Sequence, residues 1–218
     1  MQWSFSRLKQ YKNCPRQFYE VRVANNFVVK DTAATLYGKA LHEAIEKYVV
    51  SKTEFPKNYA TVLSKVPLIL NLIPGLHYAE TKMAVDINRK ACEFDNPDYW
   101  VRGIADLVAV AGDRVAVVDW KSGSDRYADT KQLTLMALLV FANFPQVNTV
   151  GGMLYFIKNA HPIFSEDYER ADIDDMWETF ANDLRNIHIS YESNNWPMTP
   201  SGLCGYCPVE TCPHWKEL

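Results

Sequence analysis

The sequence predicts a mixed α/β fold, a central sheet flanked by helices, and three observations carry that prediction. Strand-like and helix-like apolar runs alternate along 218 residues. Two of the strand-like runs flank Gly112-Asp113, a strong signal for a two-residue antiparallel hairpin. At 48 % hydrophobic and 22 % charged, the chain suits one sizeable core. There is no internal repeat and no low-complexity tract.

Taken in order, residues 4–13 suit a short helix, with Leu8 and Tyr11 on one side and Cys14-Pro15 as its stop. Phe18, Tyr19, Val21 and Val23 extend the core. Gly38 to Val50 is a clearer helix, because Leu41, Ala44, Ile45, Tyr48 and Val49 form a stripe at helical spacing. His42 lies at the edge of that stripe, as a packed residue or, if the helix meets the hairpin, a ligand. Residues 57–75 read as helical packing interrupted at Pro67 and Pro74. Leu76 to Ile87 reads as a strand leading towards the hairpin; Glu80 within it is either a third carboxylate of the site or a solvent-facing strand residue. Asp129 or Thr130 caps a buried helix from Lys131 to about Asn143, and Gln132 projects from its first turn, where amide donors favour phosphate. Met153 to Ile157 reads as an inner strand after Gly151-Gly152. Residues 173–191 form the most regular helix, capped by Asp172, with Met176, Trp177, Phe180, Leu184 and Ile187 on its core face.

The hairpin is the candidate for chemistry. If Gly112-Asp113 closes it, Ala111 faces Arg114 and counting back sets Asp106 opposite Asp119. Directly opposed like charges are destabilising. Strand alternation places Lys121 on the face of Asp119 and turns Trp120 away. Two carboxylates and an ammonium on one face suit a hard divalent cation and a phosphate, the requirements of metal-assisted phosphodiester hydrolysis. A solvated hairpin with scattered charges is the bland alternative. Against it, Val115 and Val117 share the face of Asp119 while Ala116, Val118 and Trp120 fill the other, a pattern of burial on both sides.

The net charge of -3 does not advertise a nucleic-acid binder, but the charge is unevenly spread. Residues 1–30 carry six basic side chains against Glu20 alone, whereas residues 161–195 carry nine acids and two arginines. A basic patch of that kind permits contact with a phosphate backbone. No apolar run reaches the roughly 18 residues that span a bilayer, and the opening Met-Gln-Trp-Ser-Phe-Ser-Arg lacks the order of a secretory signal. The expectation is a cytoplasmic protein without a membrane partner, in the host cytoplasm if it is viral. A phosphate-cradling Gly-x-x-x-x-Gly-Lys-Ser/Thr is missing, which excludes a P-loop motor in these residues.

Five cysteines without a secretory signal argue against a disulfide framework. Cys204, Cys207 and Cys212 follow a C-x2-C-x4-C spacing in a Pro/Gly-rich tail that cannot order itself by burial. Cys14, also followed by proline, could complete a four-thiolate cluster site; His214 could instead complete a zinc site of three cysteines and one histidine. Cys92 reads as a packed thiol.

Ser4-x-Ser6-x-Leu8-x-x-Tyr11-x-x-Cys14-Pro15-x-x-Phe18 resembles the opening signature of RecB-like nucleases of the PD-(D/E)XK superfamily. The likeness is to the iron-sulfur branch that includes AddB-type nuclease domains and the CRISPR-adaptation exonucleases. It continues in family order through Gly38-x-x-x-His42, Gly103-x-x-Asp106, Asp119-Trp120-Lys121 and the terminal cysteines. The resemblance implies a restriction-endonuclease-like sheet spanning 1–218 as one nuclease domain, with 1–30 and 196–218 forming a cysteine subregion. It implies that His42, Asp106 and Asp119, helped by the Trp120 carbonyl, ligate Mg2+ or Mn2+. Lys121 assists the attacking water or the phosphate, and Cys14, Cys204, Cys207 and Cys212 hold a 4Fe-4S cluster. Two departures stand out. The family's Gln-x-x-x-Tyr appears as Gln132-x-x-x-Met136, and the last cysteine interval is one residue shorter than the family pattern, which keeps zinc, or no metal at all, in contention.

The reading that follows is a metal-dependent deoxyribonuclease, an exonuclease acting on DNA ends, single-stranded ends among them, in recombination, repair or phage DNA processing. A recombination or helicase partner would act in trans, and an oligomer is a family-level route to processivity. The competing readings are a non-catalytic DNA-end-binding accessory subunit and a zinc-stabilised interaction module.

Overall fold

The computed structural model describes residues 1–216, apart from the side chain of Tyr127. The chain forms two compact units, one of residues 33–176 with Gln2, the other of Met1, Trp3–Thr32 and the chain from Trp177 onward.

The larger unit is built on a seven-stranded mixed sheet. Its strands are β1 (Leu76–Val85), β2 (Ala91–Cys92), β3 (Val101–Ala111), β4 (Arg114–Lys121), β5 (Thr149–Phe156), β6 (His161–Phe164) and β7 (Tyr168–Glu169). They lie in the order β2-β1-β3-β4-β5-β6, with β7 on β5. Among the described residues only β4 and β5 run parallel, and a parallel pair requires a crossover, here helix α6 (Lys131–Asn143). The numbering counts the helices before α6 as α1 (Phe5–Asn13), α2 (Pro15–Phe18), α3 (Ala33–Ser51), α4 (Ala60–Leu63) and α5 (Val66–Leu72).

Strand alternation decides which layer each side chain serves. Leu107, Val118, Trp120 and Tyr155 meet Leu41, Ile45, Leu63 and Leu70 of the α3, α4 and α5 layer. Leu154 and Phe156 point the other way and meet Leu133 of α6. Each fully buried Leu or Ile contributes about 1.5–3 kcal/mol relative to exposure, so both layers clamp the sheet. Helix α6 buries every residue from Leu135 to Phe141, as its unbroken apolar run requires.

In the smaller unit α1 and α2 pack with α7 (Ile173–Ser193), whose C-terminal part lies in this unit. Trp3 lies tilted against Phe180 with ring centroids 5.5 Å apart. The Tyr11 hydroxyl donates to the Asn186 carbonyl at 2.8 Å. Trp196 is boxed by Tyr11, Phe18, Tyr19 and Tyr191, with centroids 5.0–6.4 Å away. The Arg16 amide then donates to the Pro197 carbonyl, which ties the tail to α2.

The central sheet flanked by helices is the predicted architecture. The differences lie at element edges. Gly151-Gly152 sit inside β5 rather than before it, and Ile157 starts a 3-10 turn. Gly152 is tolerated there because a Cβ would lie 3.0 Å from that of Leu133, so the missing side chain lets α6 approach the strand. Tyr19–Val23 form a π-helical turn, with Phe18 and Val21 buried as expected. Asp129, not Thr130, provides the side-chain acceptor at the start of α6 by accepting from the Lys131 amide at 3.1 Å. Among the described residues no helix is long and apolar enough to cross a membrane.

Two glycines carry positive φ for different reasons. Gly112 turns the hairpin at φ +66° with open space around it, whereas Gly75 sits at φ +106° with the Val110 carbonyl oxygen 2.3 Å from where a Cβ would be. Gly112→Ala should cost about 1–2 kcal/mol, the conformational term alone. Gly75→Ala should cost more than that, because backbone must also move. Urea denaturation of both variants checks the order; equal losses would refute the steric account.

Candidate active site

The hairpin register fixes the centre of the site. Leu107 pairs with Val118 and Ala111 with Arg114, so Asp106 continues the ladder opposite Asp119. On the other side of β3, Ala79 pairs with Leu107 and Thr81 with Ala105. Glu80 is therefore also level with Asp106, and three carboxylates lie in one row across β1, β3 and β4. Glu80 interrupts its ladder with φ +46°, an uncommon left-handed setting for a non-glycine residue.

Helices from both layers reach this row. His42 of α3 places Nδ1 3.4 Å from Asp106 Oδ1, and the Trp120 amide donates to Asp106 Oδ2 at 2.7 Å. His42, Glu80 and Asp106 each offer a ligand atom within 4.8 Å of the others. From α6, Gln132 Nε2 donates to Asp119 Oδ1, while Lys121 Nζ donates to Gln132 Oε1 at 2.8 Å. Lys121 Nζ also lies 2.6 Å from Asp119 Oδ2, an ion contact without hydrogen-bond geometry. Asp119, Lys121 and Gln132 thus close a small ring. An open cleft of about 730 Å³ exposes His42, Glu80 and Asp106, with Gly38, Lys39, Glu46 and Ser122 along its wall.

The electrostatics record how crowded the row is. Burial, and then the charge of Asp106, push the Asp119 carboxyl up to about 6, with Lys121 and His42 acting against them. Burial and the charges of Asp106 and Glu46 likewise raise Glu80. For His42, burial acts downward, but the Asp106 hydrogen bond and the charges of Asp106, Asp119 and Glu80 outweigh it and the shift is upward. This row has more negative charge than its own lysine and histidine offset.

A sequence profile of the PD-(D/E)XK nuclease superfamily matches residues 2–71 and 69–213. The chain belongs to that superfamily. Two solved structures share the fold of these nucleases at low identity. One, a candidate exonuclease from Eubacterium rectale, superposes with TM-score 0.53 at 12 % identity, covering 97 % of this chain and 86 % of its own. The other, SSO0001, gives TM-score 0.50 at 14 % identity, covering 99 % and 87 %. No curated protein sequence matches.

For a member of this nuclease superfamily, the donor set suits a hard divalent ion: oxygen-rich, anionic, with one imidazole, around a row short of positive charge. Sequence reasoning had named His42, Asp106, Asp119, Trp120, Lys121 and Gln132, and the fold brings all six to one place. Within it, Asp119 stands apart from the His42, Glu80 and Asp106 group, held by Lys121 and Gln132. Trp120 serves Asp106 through its N–H. Glu80 is the residue that the sequence left undecided. Continuing the hairpin count one strand further would have found it, but only with the β1 register in hand.

Cys14, Cys204, Cys207 and Cys212, all as free thiols, line one cavity of about 220 Å³ in the smaller unit, with Arg16, Gln17, Met198 and His214. The Gln17 amide donates to Cys14 Sγ at 3.5 Å and the Ser201 amide to Cys204 Sγ at 3.3 Å. Burial pushes the Cys207 thiol up, against hydrogen bonds from Val209 and Gln17. Among the described residues no three of these sulfurs, with or without His214, come within 4.8 Å of one another. Cys92 belongs to β2 of the larger unit.

The raised Asp119 carboxyl has a consequence for stability without metal. Its folded value of about 6 exceeds the ordinary 3.8, so the folded state holds the proton more tightly. Stability then falls as pH rises from about 4 to about 6 and stays low above that. In chelator, Asp119→Asn should be more stable than wild type at pH 7.5 by about 1–3 kcal/mol. The two should converge near pH 4, which urea unfolding at both pH values reads directly; a variant less stable at pH 7.5 would contradict the assignment.

Proposed function

We propose that this chain is a divalent-metal-dependent DNA nuclease that hydrolyses phosphodiester bonds from DNA ends. The observation that carries the reading is the single row of Glu80, Asp106 and Asp119, flanked by His42 on one side and by Lys121 and Gln132 on the other. A module that only binds DNA gains nothing from three carboxylates beside a phosphate.

His42, Glu80, Asp106 and Asp119 would hold Mg2+ or Mn2+. When bound, such an ion polarises the scissile phosphate and lowers the pKa of a coordinated water. The chain's own groups then have separate tasks. The Trp120 amide fixes the Asp106 carboxylate in one orientation. Gln132 bridges Asp119 and Lys121 and holds the ammonium at the site. Lys121 donates to a phosphate oxygen or to the attacking water. Because its two partners already position it, little side-chain entropy remains to be lost on binding DNA. Met136 replaces the tyrosine of the family's Gln-x-x-x-Tyr helix and is buried against the position of Gly103, so the tyrosine's contact is lost while Gln132 keeps its place at the site.

We further assign the chain to the iron-sulfur branch, with AddB-type domains and the CRISPR-adaptation exonucleases as its functional analogues. Four thiols around one cavity, three of them already receiving N–H donors, fit a 4Fe-4S cluster. The candidate exonuclease activity named for the Eubacterium rectale structure supports degradation from ends.

The decisive experiment compares linear DNA labelled at one end with circular DNA, both in Mn2+. Wild type should shorten only linear DNA, and Asp119→Ala and Lys121→Ala should each be slowed about 100-fold or more. Variants as fast as wild type would dismiss the mechanism. Glu80→Gln should raise the metal concentration for half-maximal rate about 10- to 100-fold, read by Mn2+ titration. An unchanged requirement would remove Glu80 from the ligand set.

A further inference from the structure

The cysteine cavity treats its four sulfurs unequally. Cys14 and Cys204 accept backbone N–H groups from Gln17 and Ser201, contacts that almost any residue at those positions could supply. Cys207 has a backbone contact of that kind from Val209 and, in addition, accepts from a side chain, Gln17 Nε2, at 3.5 Å. Cys212 faces the Met198 thioether, Sγ to Sδ 3.8 Å. Gln17 therefore touches two sulfurs from opposite ends of the chain, that of Cys14 through its backbone N–H and that of Cys207 through its side-chain amide.

The neighbouring cation is committed elsewhere. Arg16 also lines the cavity, but its guanidinium lies 2.6 Å from the buried Glu20 carboxylate and over the Tyr19 ring. The Gln17 amide is thus the sequence-specific donor aimed at a sulfur.

We propose that Gln17 is a positioning residue that sets the reduction potential of an iron-sulfur cluster held by Cys14, Cys204, Cys207 and Cys212. The inference rests on the cluster reading given above. An N–H bond to a ligating sulfur draws electron density from it and stabilises the reduced, more negative cluster over the oxidised one. Removing the donor lowers the potential, and a charged donor in its place raises it. The same bond joins the segment of Cys14 to that of Cys207, so the residue that tunes the cluster also aligns two of its ligands.

The test uses full-length protein purified anaerobically, with iron and acid-labile sulfide counted before a potentiometric titration followed by visible absorption and EPR. Gln17→Leu should retain the cluster with a lower midpoint potential, by up to a tenfold change in the one-electron equilibrium, about 59 mV. Gln17→Lys, whose ammonium can donate to Cys207, should shift it upward. Should Gln17→Leu lose the cluster, Gln17→Lys decides: a retained cluster with a raised potential supports the proposal, and loss in both overturns it. Midpoints equal to wild type, or both variants shifting in one direction, also overturn it. Wild-type protein without iron and sulfide would defeat the cluster reading itself, a result separable from an unshifted potential in a protein that carries the cluster.

Discussion

The larger unit depends on one electrostatic conflict, three carboxylates set level with each other on adjacent strands. Like charges at that spacing oppose strand pairing, so the fold must hold them by other means. It does so with directional contacts, the Trp120 amide to Asp106, His42 to Asp106 and Gln132 to Asp119, and with the ion contact of Lys121 to Asp119. Glu80 has the least protein support and bends its own strand into a left-handed setting to stay beside Asp106. Strain at a crowded anionic row is the expected cost of a site ready for a cation.

The rest of that unit can be understood as the scaffold that tolerates this conflict. The α3, α4 and α5 layer and the α6 layer bury opposite faces of the same strands, and the site forms where both layers reach the sheet. His42 comes from the first layer and Gln132 from the second. Each helix is anchored by an apolar stripe within a turn of its functional residue, Leu41 and Ile45 beside His42, Leu133 and Met136 beside Gln132. A shift of either helix would therefore be felt at the carboxylates, since close-packed interiors transmit displacement rather than absorb it.

The smaller unit solves a different problem, ordering a Pro/Gly-rich tail with little apolar surface. An aromatic box around Trp196, and the bond from the Arg16 amide to the Pro197 carbonyl, bring the tail to the helix that follows Cys14. The thiols then meet across one cavity with N–H donors in place. A ligand bound there would add its binding free energy to the folding of a segment that has few other means of holding itself together.

By itself the sequence determined what is local. Gly112-Asp113 set the hairpin register and with it the meeting of Asp106 and Asp119, because a two-residue turn leaves no freedom to slip. Helical stripes placed α3, α6 and α7 within a few residues of their ends, and the spacing of Lys121 from Asp119 put both on one face. Tertiary structure decided what depends on pairing between distant segments. The register of β1 on β3 brought Glu80 level with Asp106, the packing of α6 gave Asp119 to Lys121 and Gln132, and the approach of the tail to α2 chose which donors each cysteine sulfur receives. Those outcomes follow from non-local packing and from a left-handed backbone at Glu80, neither of which has a signature in residue order.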